Sequence, residues 1–305
     1  MKSHPLRLAM ACLCAAIAAP AAFAEDLPLS HQITGERFQY TIRRGDNFIK
    51  LASRFGVGSA IIAAENGLQL DSRLTAGNTL TIDNRHVVPE VMRDGIVINL
   101  PQRMLFYFSD GRLVGAYAAA VGRVAPQWRT PVGRFKVVQL RKDPTWHVPA
   151  SIIREAEIEG KDIEDFVPPG PDNPLGGYWI GLNFGSLGIH GTNSPLGIYG
   201  FHTHGCIRLG PKNAERLFDS MEIGEKGEII YAPTLLAHLD DGRVFLEVNR
   251  DAYKRGGGGM DHVRRVAEEN HLSHLIDWSK AQQVADRAEG VARDVTAEAP
   301  GEARR

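Results

Sequence analysis

The sequence predicts a mainly β domain with one notable helix, preceded by a small βααβ unit and followed by a helical extension. Three observations carry that prediction. Strand-like apolar runs fill residues 96–139, with Asp110-Gly111 placed as a hairpin turn between two of them. Residues 39–82 hold two short helical spacings between two strand-like runs. After Gly256-Gly257-Gly258-Gly259 the period turns helical, with Val263, Val266, Leu272, Leu275 and Ile276 as its apolar positions. The 305 residues include 35 basic and 36 acidic ones, so no cationic excess marks a nucleic-acid binder and no acidic excess a solvating domain.

Lys2 and Arg7 precede an apolar stretch at residues 8–19, which is too short to span a bilayer. Ala22-Phe23-Ala24 then offers small residues at a cleavage site, so residues 1–24 read as a signal peptide. The mature protein is expected to be exported, with no transmembrane span. Cleavage removes Cys12 and Cys14 and leaves Cys206 alone in an oxidising compartment, unable to form an internal disulfide. An exported lone thiol is open to oxidation unless it is buried or used. Cys206 is therefore the residue to explain.

Residues 39–82 begin with a strand around Tyr40-Thr41-Ile42 and a turn at Gly45-Asp46. A helix carries Phe48, Leu51, Ala52 and Phe55, capped by Asp46 or Asn47 and ended by Gly56. A second helix covers residues 59–65, Asn66-Gly67 turns, and Leu80-Thr81-Ile82 returns as a strand. Residues 83–93 read as a linker. The β domain occupies 95–232, with strands at 96–100, 104–108, 113–121, 133–139, 178–182, 187–190, 207–209 and 227–231. A closing strand at 244–248 extends it to about residue 250. Its helix runs from 211 to 221, and residues 167–174 form a loop rich in Pro and Gly. Residues 256–305 are expected as a glycine hinge, a helix over 260–291 and a disordered tail.

Cys206 sits in Thr203-His204-Gly205-Cys206-Ile207-Arg208-Leu209, and His190 lies upstream in Ile189-His190-Gly191-Thr192. A histidine that removes the thiol proton yields the thiolate that attacks an acyl carbon. Gly205 leaves the backbone beside the thiol unobstructed, so that neighbouring N–H groups can face an oxyanion. No Asp or Asn lies close by to orient the base, which leaves a backbone carbonyl for that task. Three other readings of the same residues stand beside this one. They are a buried inert cysteine, a redox-active thiol, and a zinc site made from His190, His202, His204 and Cys206.

Tyr40, Gly45-Asp46, the Leu51-Ala52 to Phe55-Gly56-Val57 run, Asn66-Gly67-Leu68 and Gly77 resemble a LysM domain over residues 39–82. LysM modules bind N-acetylglucosamine-containing glycan, which would involve Gly45, Asp46 and Asn66. Asn47-Phe48 departs from the more usual Thr-Leu after Gly-Asp. Residues 95–232 resemble an L,D-transpeptidase catalytic domain of the YkuD, or ErfK-YbiS-YcfS-YnhG, type with a β-sandwich or barrel fold. The resemblance rests on Thr130-Pro131-Val132-Gly133, Asp143-Pro144-Thr145-Trp146, Val167-Pro168-Pro169-Gly170-Pro171, Asn173-Pro174-Leu175-Gly176, Ile189-His190-Gly191-Thr192 and His204-Gly205-Cys206-Ile207-Arg208-Leu209.

The resemblance implies Cys206 as nucleophile, His190 as base oriented by the Gly191 carbonyl, and His204 as a second active-site histidine. It further implies Gly205 and Cys206 as backbone donors, and Arg208, Thr203 and Thr192 as substrate contacts. No metal or organic cofactor is implied. The implied partners are peptidoglycan tetrapeptide stems and glycan, with a murein lipoprotein as one acceptor, in the periplasm, and no nucleic acid. A hydrolase or carboxypeptidase using the same acyl-enzyme and a non-catalytic peptidoglycan-binding protein are the alternatives. Thr203 stands where Ser is commoner, and Phe201-His202 and His147 also depart from the family pattern.

Overall fold

The computed structural model describes residues 29–298. The expected signal peptide and residues 299–305 of the tail lie outside the described residues.

Strands Arg37–Thr41 and Thr79–Asp83 pair antiparallel, with Phe38 opposite Ile82 and Tyr40 opposite Leu80. Between them run helices Phe48–Phe55 and Ser59–Glu65. Asn47 is the cap of the first, accepting from the Lys50 N–H at 2.9 Å. Gly56 closes that helix at φ 70°, a left-handed conformation that glycine enters without steric cost. Tyr40, Phe48, Leu51, Ile62, Leu80 and Ile82 form the core of this unit, joined by Val291 from the far end of the chain.

The following segment is more than a linker, because strand His86–Val87 within it pairs with Ile33–Thr34. Eight strands then close into a barrel-like sheet. Gly95–Asn99, Met104–Ser109 and Arg112–Gly122 form a meander turning at Asp110-Gly111. The last of these is followed around the ring by Ile207–Leu209, Gly188–His190, Tyr178–Leu182, Gly133–Lys142 and Lys226–Ile230, which returns to Gly95–Asn99. Two contacts are parallel, Gly188–His190 with Ile207–Leu209 and Lys226–Ile230 with Gly95–Asn99. Ile96, Ile98, Leu105, Val121, Val137, Ile180, Ile189 and Ile207 are fully buried in its core. Helix Pro211–Asp219 adds Ala214 and Leu217, and Pro at its first position suits the start of a helix, where an N–H has no partner.

The expectation of one notable helix is corrected. A second, Ala150–Ile158, stands before the Pro-rich loop; it buries only Ala156 and has no side-chain cap, so its helical period is weak in the sequence. Strand Val244–Val248 does not close the barrel. It pairs with Thr234–His238 and Arg293–Asp294 in a separate three-stranded sheet. The expected 260–291 helix is two helices, Gly259–Glu269 and Trp278–Arg287, broken near His271, whose φ is 57°. Asp277 caps the second by accepting from the Ser279 and Lys280 N–H groups. The glycine run is anchored at both ends, Gly256 N–H donating to Asp251 and Gly259 N–H to Thr234. The tail expected to be disordered instead begins as the third strand, and Val295 is buried beneath it. No described helix is long and apolar enough to cross a membrane.

Candidate active site

Side chains two apart on an extended strand share a face. Cys206 and Arg208 are two apart, and Arg208 stands in register with His190 on the neighbouring parallel strand. His190 in turn faces Trp179 across the next pair, their rings stacked at 6.0 Å. Ile189 and Ile207 alternate to the opposite face and anchor both strands in the core. The strand period thus brings His190, Arg208, Trp179 and Cys206 together.

Cys206 is half-buried at the wall of a cavity of about 450 Å³, lined also by Trp146, His147, Pro149, Trp179 and Leu187. Its Sγ lies 4.0 Å from the Ser186 carbonyl and faces the Gly188 N–H. Burial pushes the thiol up, against the pull of that N–H and of the Arg208 charge. His190 Nδ1 lies 2.7 Å from the Gly191 carbonyl, which only accepts, so Nδ1 carries the proton and Nε2 is the basic atom. Burial and the Arg208 charge push this imidazole down to about 4, so it is neutral at physiological pH. Among the described residues no hydrogen bond joins His190 to Cys206, and burial favours the neutral form of both the thiol and the imidazole. Arg208 Nε is buried without a hydrogen-bond partner, and burial lowers the guanidinium below its ordinary range.

Gly205 adopts φ +113°, and a Cβ there would meet Leu187 Cδ2 at 3.2 Å. Its N–H donates to Thr203 Oγ1 at 3.2 Å, its carbonyl accepts from Thr130 Oγ1 at 2.8 Å, and Thr203 Oγ1 donates to the Cys206 carbonyl at 2.6 Å. Two expectations change as a result. The Gly205 N–H is engaged within the turn, which leaves the Cys206 N–H as the uncommitted donor among the described residues. Thr203 shapes that turn with its hydroxyl. Thr192 is similarly occupied, donating to the Ser194 carbonyl and accepting from its N–H.

A scan of family models matches residues 93–229 to the YkuD L,D-transpeptidase catalytic domain and residues 40–83 to the LysM domain. A Salmonella typhimurium protein named Probable L,D-transpeptidase ErfK/SrfK is 31% identical over 260 residues, covering 82% of both chains. Probable L,D-transpeptidase YcfS of Escherichia coli is 31% identical over 229 residues, covering 73% of this chain and 71% of its own. The chain belongs to the L,D-transpeptidase family. Its barrel is the L,D-transpeptidase catalytic domain, the family supports transpeptidation of peptidoglycan, and the βααβ unit is a LysM domain.

This L,D-transpeptidase contains one contact that the sequence reading missed. His204 Nε2 lies 2.5 Å from Glu155 Oε2, and Glu155 Oε1 accepts from Arg123 at 2.7 Å. These two hydrogen bonds hold the Glu155 carboxyl below its ordinary range. Glu155 is 49 residues from His204 and lies on the unforeseen helix, so no local pattern links them. The Trp128 ring packs edge-on against His204 at 4.4 Å. The zinc alternative requires four side chains to converge, whereas His204 turns to Glu155 and the exposed His202 ring packs beside Gly197 and Gly200.

The LysM residues expected at the glycan have structural tasks. Asp46 Oδ2 accepts from Tyr40 Oη at 2.6 Å and from the Arg43 N–H at 2.8 Å. Asn66 donates to the Ile62 and Thr81 carbonyls and accepts from the Thr81 N–H at 2.7 Å. The Gly45 carbonyl accepts from Lys50 Nζ at 2.6 Å. The polar atoms of Asp46 and Asn66 are therefore taken up inside the domain. LysM docks on the catalytic domain through Ser53, whose hydroxyl donates to the Ile198 carbonyl and accepts from the Gly197 N–H, each at 3.2 Å.

Proposed function

We propose that this protein is a periplasmic cysteine acyltransferase that moves a peptidoglycan stem from D-alanine to an amine through a thioester on Cys206. The carrying observation is the cavity-lining Cys206 on one strand face with His190, whose basic atom is Nε2, and Arg208, whose Nε lacks a partner.

His190 Nε2 takes the thiol proton as Sγ attacks the carbonyl at the L-centre of diaminopimelate in the diaminopimelate–D-Ala bond. Burial favours the neutral form of both groups, so proton transfer accompanies the attack. The Cys206 N–H donates to the developing oxyanion. Collapse breaks the C–N bond, His190 returns its proton to the departing D-Ala amine, and the thioester remains. An acceptor amine then attacks, passes a proton through His190 to the sulfur, and leaves as the new amide. The acceptor is a second stem, giving a 3→3 cross-link, or the lysine of a murein lipoprotein. Arg208 would hold a stem carboxylate, for which a guanidinium offers paired donors. LysM would raise the local concentration of stems by holding the glycan.

The test is intact mass of the mature protein incubated with a disaccharide-tetrapeptide, alongside Cys206→Ala. A stem adduct lacking D-Ala on wild type alone is expected, and candidate amines should discharge it into a transfer product. Discharge only to water would convert the reading to a hydrolase. No adduct with unchanged substrate would overturn it.

A further inference from the structure

The Ala150–Ile158 helix belongs to a segment held chiefly by bonds within itself. Asn173 Nδ2 donates to the Pro144 carbonyl at 2.8 Å, and the Val148 N–H donates to the Asp165 carbonyl at 2.8 Å. Among the described residues, Glu155 makes the only side-chain hydrogen bonds from this helix to the rest of the chain. The helix borders a cavity of about 350 Å³ that shares Trp146 with the Cys206 cavity.

The chemistry of the pair fixes a protonation pattern. An ionised carboxylate only accepts, so the proton of His204 at this contact sits on Nε2. Arg123 occupies the other carboxylate oxygen and favours the charged form of Glu155, so Glu155 holds the ring without taking its proton. Meanwhile the Arg123 N–H donates to the Thr203 carbonyl at 2.9 Å, so the same residue is bound to the Cys206 turn through its backbone. Trp128 closes the remaining side of the ring.

We propose that Glu155 is a positioning residue for acyl transfer: it sets the tautomer and orientation of His204 and fastens the Ala150–Ile158 helix beside Cys206. The inference rests on the reading of Cys206 as the acyl-accepting nucleophile. It assigns a reaction role to a helix residue outside the motifs that carry the family resemblance.

The test compares wild type with Glu155→Ala, Glu155→Gln and Glu155→Asp in the full mature chain. Imidazole ¹⁵N shifts should report Nε2-protonated His204 in wild type and loss of that tautomer preference in Glu155→Ala. Acyl transfer should slow about 10- to 100-fold, mainly in kcat, the order expected when a reacting group is misplaced by about an ångström. Glu155→Gln keeps a neutral acceptor and should recover part of both the rate and the ¹⁵N signature. Circular dichroism checks folding; if Glu155→Ala does not fold, the near-isosteric Glu155→Gln carries the comparison. Wild-type rates in Glu155→Ala, or slowing with an unchanged His204 signature, would overturn the proposal. Absence of an acyl adduct even on wild type would instead remove the nucleophile reading and, with it, the reaction role of Glu155; the ¹⁵N shifts would still decide whether Glu155 sets the His204 tautomer.

Discussion

Replacing Glu247 with glutamine probes a charge pair buried where LysM, the barrel and the C-terminal sheet meet. His86 Nδ1 lies 3.0 Å from Glu247 Oε1, and its Nε2 lies 2.8 Å from the Gly56 carbonyl. Both partners only accept, so both ring nitrogens carry protons and His86 is an imidazolium. Glu247 also accepts from the Val87 N–H, Gln102 Nε2 and Asn249 Nδ2. Desolvation opposes charge on each group, but the mutual attraction and these hydrogen bonds outweigh it, holding His86 above its ordinary range and Glu247 below. A glutamine amide would turn donors toward donors and strip His86 of its counter-charge. Breaking one side of a buried pair costs about 3–5 kcal/mol. At about 2–4 °C per kcal/mol for a protein of this size, Tm should fall by about 6–20 °C.

The pH dependence follows from the two directions. His86 stabilises fully below the ordinary histidine value of about 6.5, and that contribution is lost as pH rises through its raised folded value. Glu247 stabilises above the ordinary glutamate value of about 4.3, and its contribution is lost as pH falls through its lowered folded value. The Tm difference between wild type and Glu247→Gln should therefore be greatest between about pH 4.3 and 6.5 and shrink on the alkaline side. Calorimetric melts across pH 4–10 measure it. A difference under about 2 °C that is flat with pH would refute the ionic assignment.

Three further predictions concern the site and the docking of LysM. Iodoacetamide alkylation of Cys206 should rise with pH and reach half its plateau above the ordinary thiol value of about 8.5, because burial raises the thiol; a midpoint near 6 would indicate a preformed ion pair. Gly205→Ala should abolish acyl-adduct formation while the protein stays folded, since φ +113° and the 3.2 Å approach to Leu187 impose about 1–3 kcal/mol of local strain; a normal adduct rate would show that the turn tolerates a side chain. Arg293→Ala removes contacts to Glu65 at 2.6 Å, Asp83 at 3.1 Å and Glu289 at 2.6 Å. It should cost about 1.5–3 kcal/mol and speed proteolytic release of LysM, whereas an unchanged cleavage pattern would remove Arg293 as a clamp.

Local chemistry made much of this protein legible. Gly45, Gly56 and Asp110-Gly111 mark their turns because few residues tolerate those conformations, and the apolar positions of the LysM helices repeat with the helical period. Cys206 stood out by its surroundings, and the parallel register of Gly188–His190 with Ile207–Leu209 places His190 opposite Arg208, two residues beyond Cys206 on the same strand face. The Ala150–Ile158 helix escaped notice because a helix burying one alanine leaves almost no periodic signal. The strand Thr234–His238 carries a run of apolar residues without alternation, so the strand period is not visible in it.

What only the tertiary structure decided is which distant groups meet. Val291 enters the LysM core from the other end of the chain, and Arg293 joins Asp83 across 210 residues. His86 meets Glu247 across 161 residues, and Glu155 meets His204 across 49. It also decided which expected site groups are engaged, since the polar atoms of Asp46, Asn66 and Thr203 and the Gly205 N–H are hydrogen-bonded within their own domains. Composition and spacing fix which conformations a segment favours. The partner of a charge, a hydroxyl or an apolar side chain depends on chain closure, and closure brings together residues whose separation along the sequence carries no periodic trace.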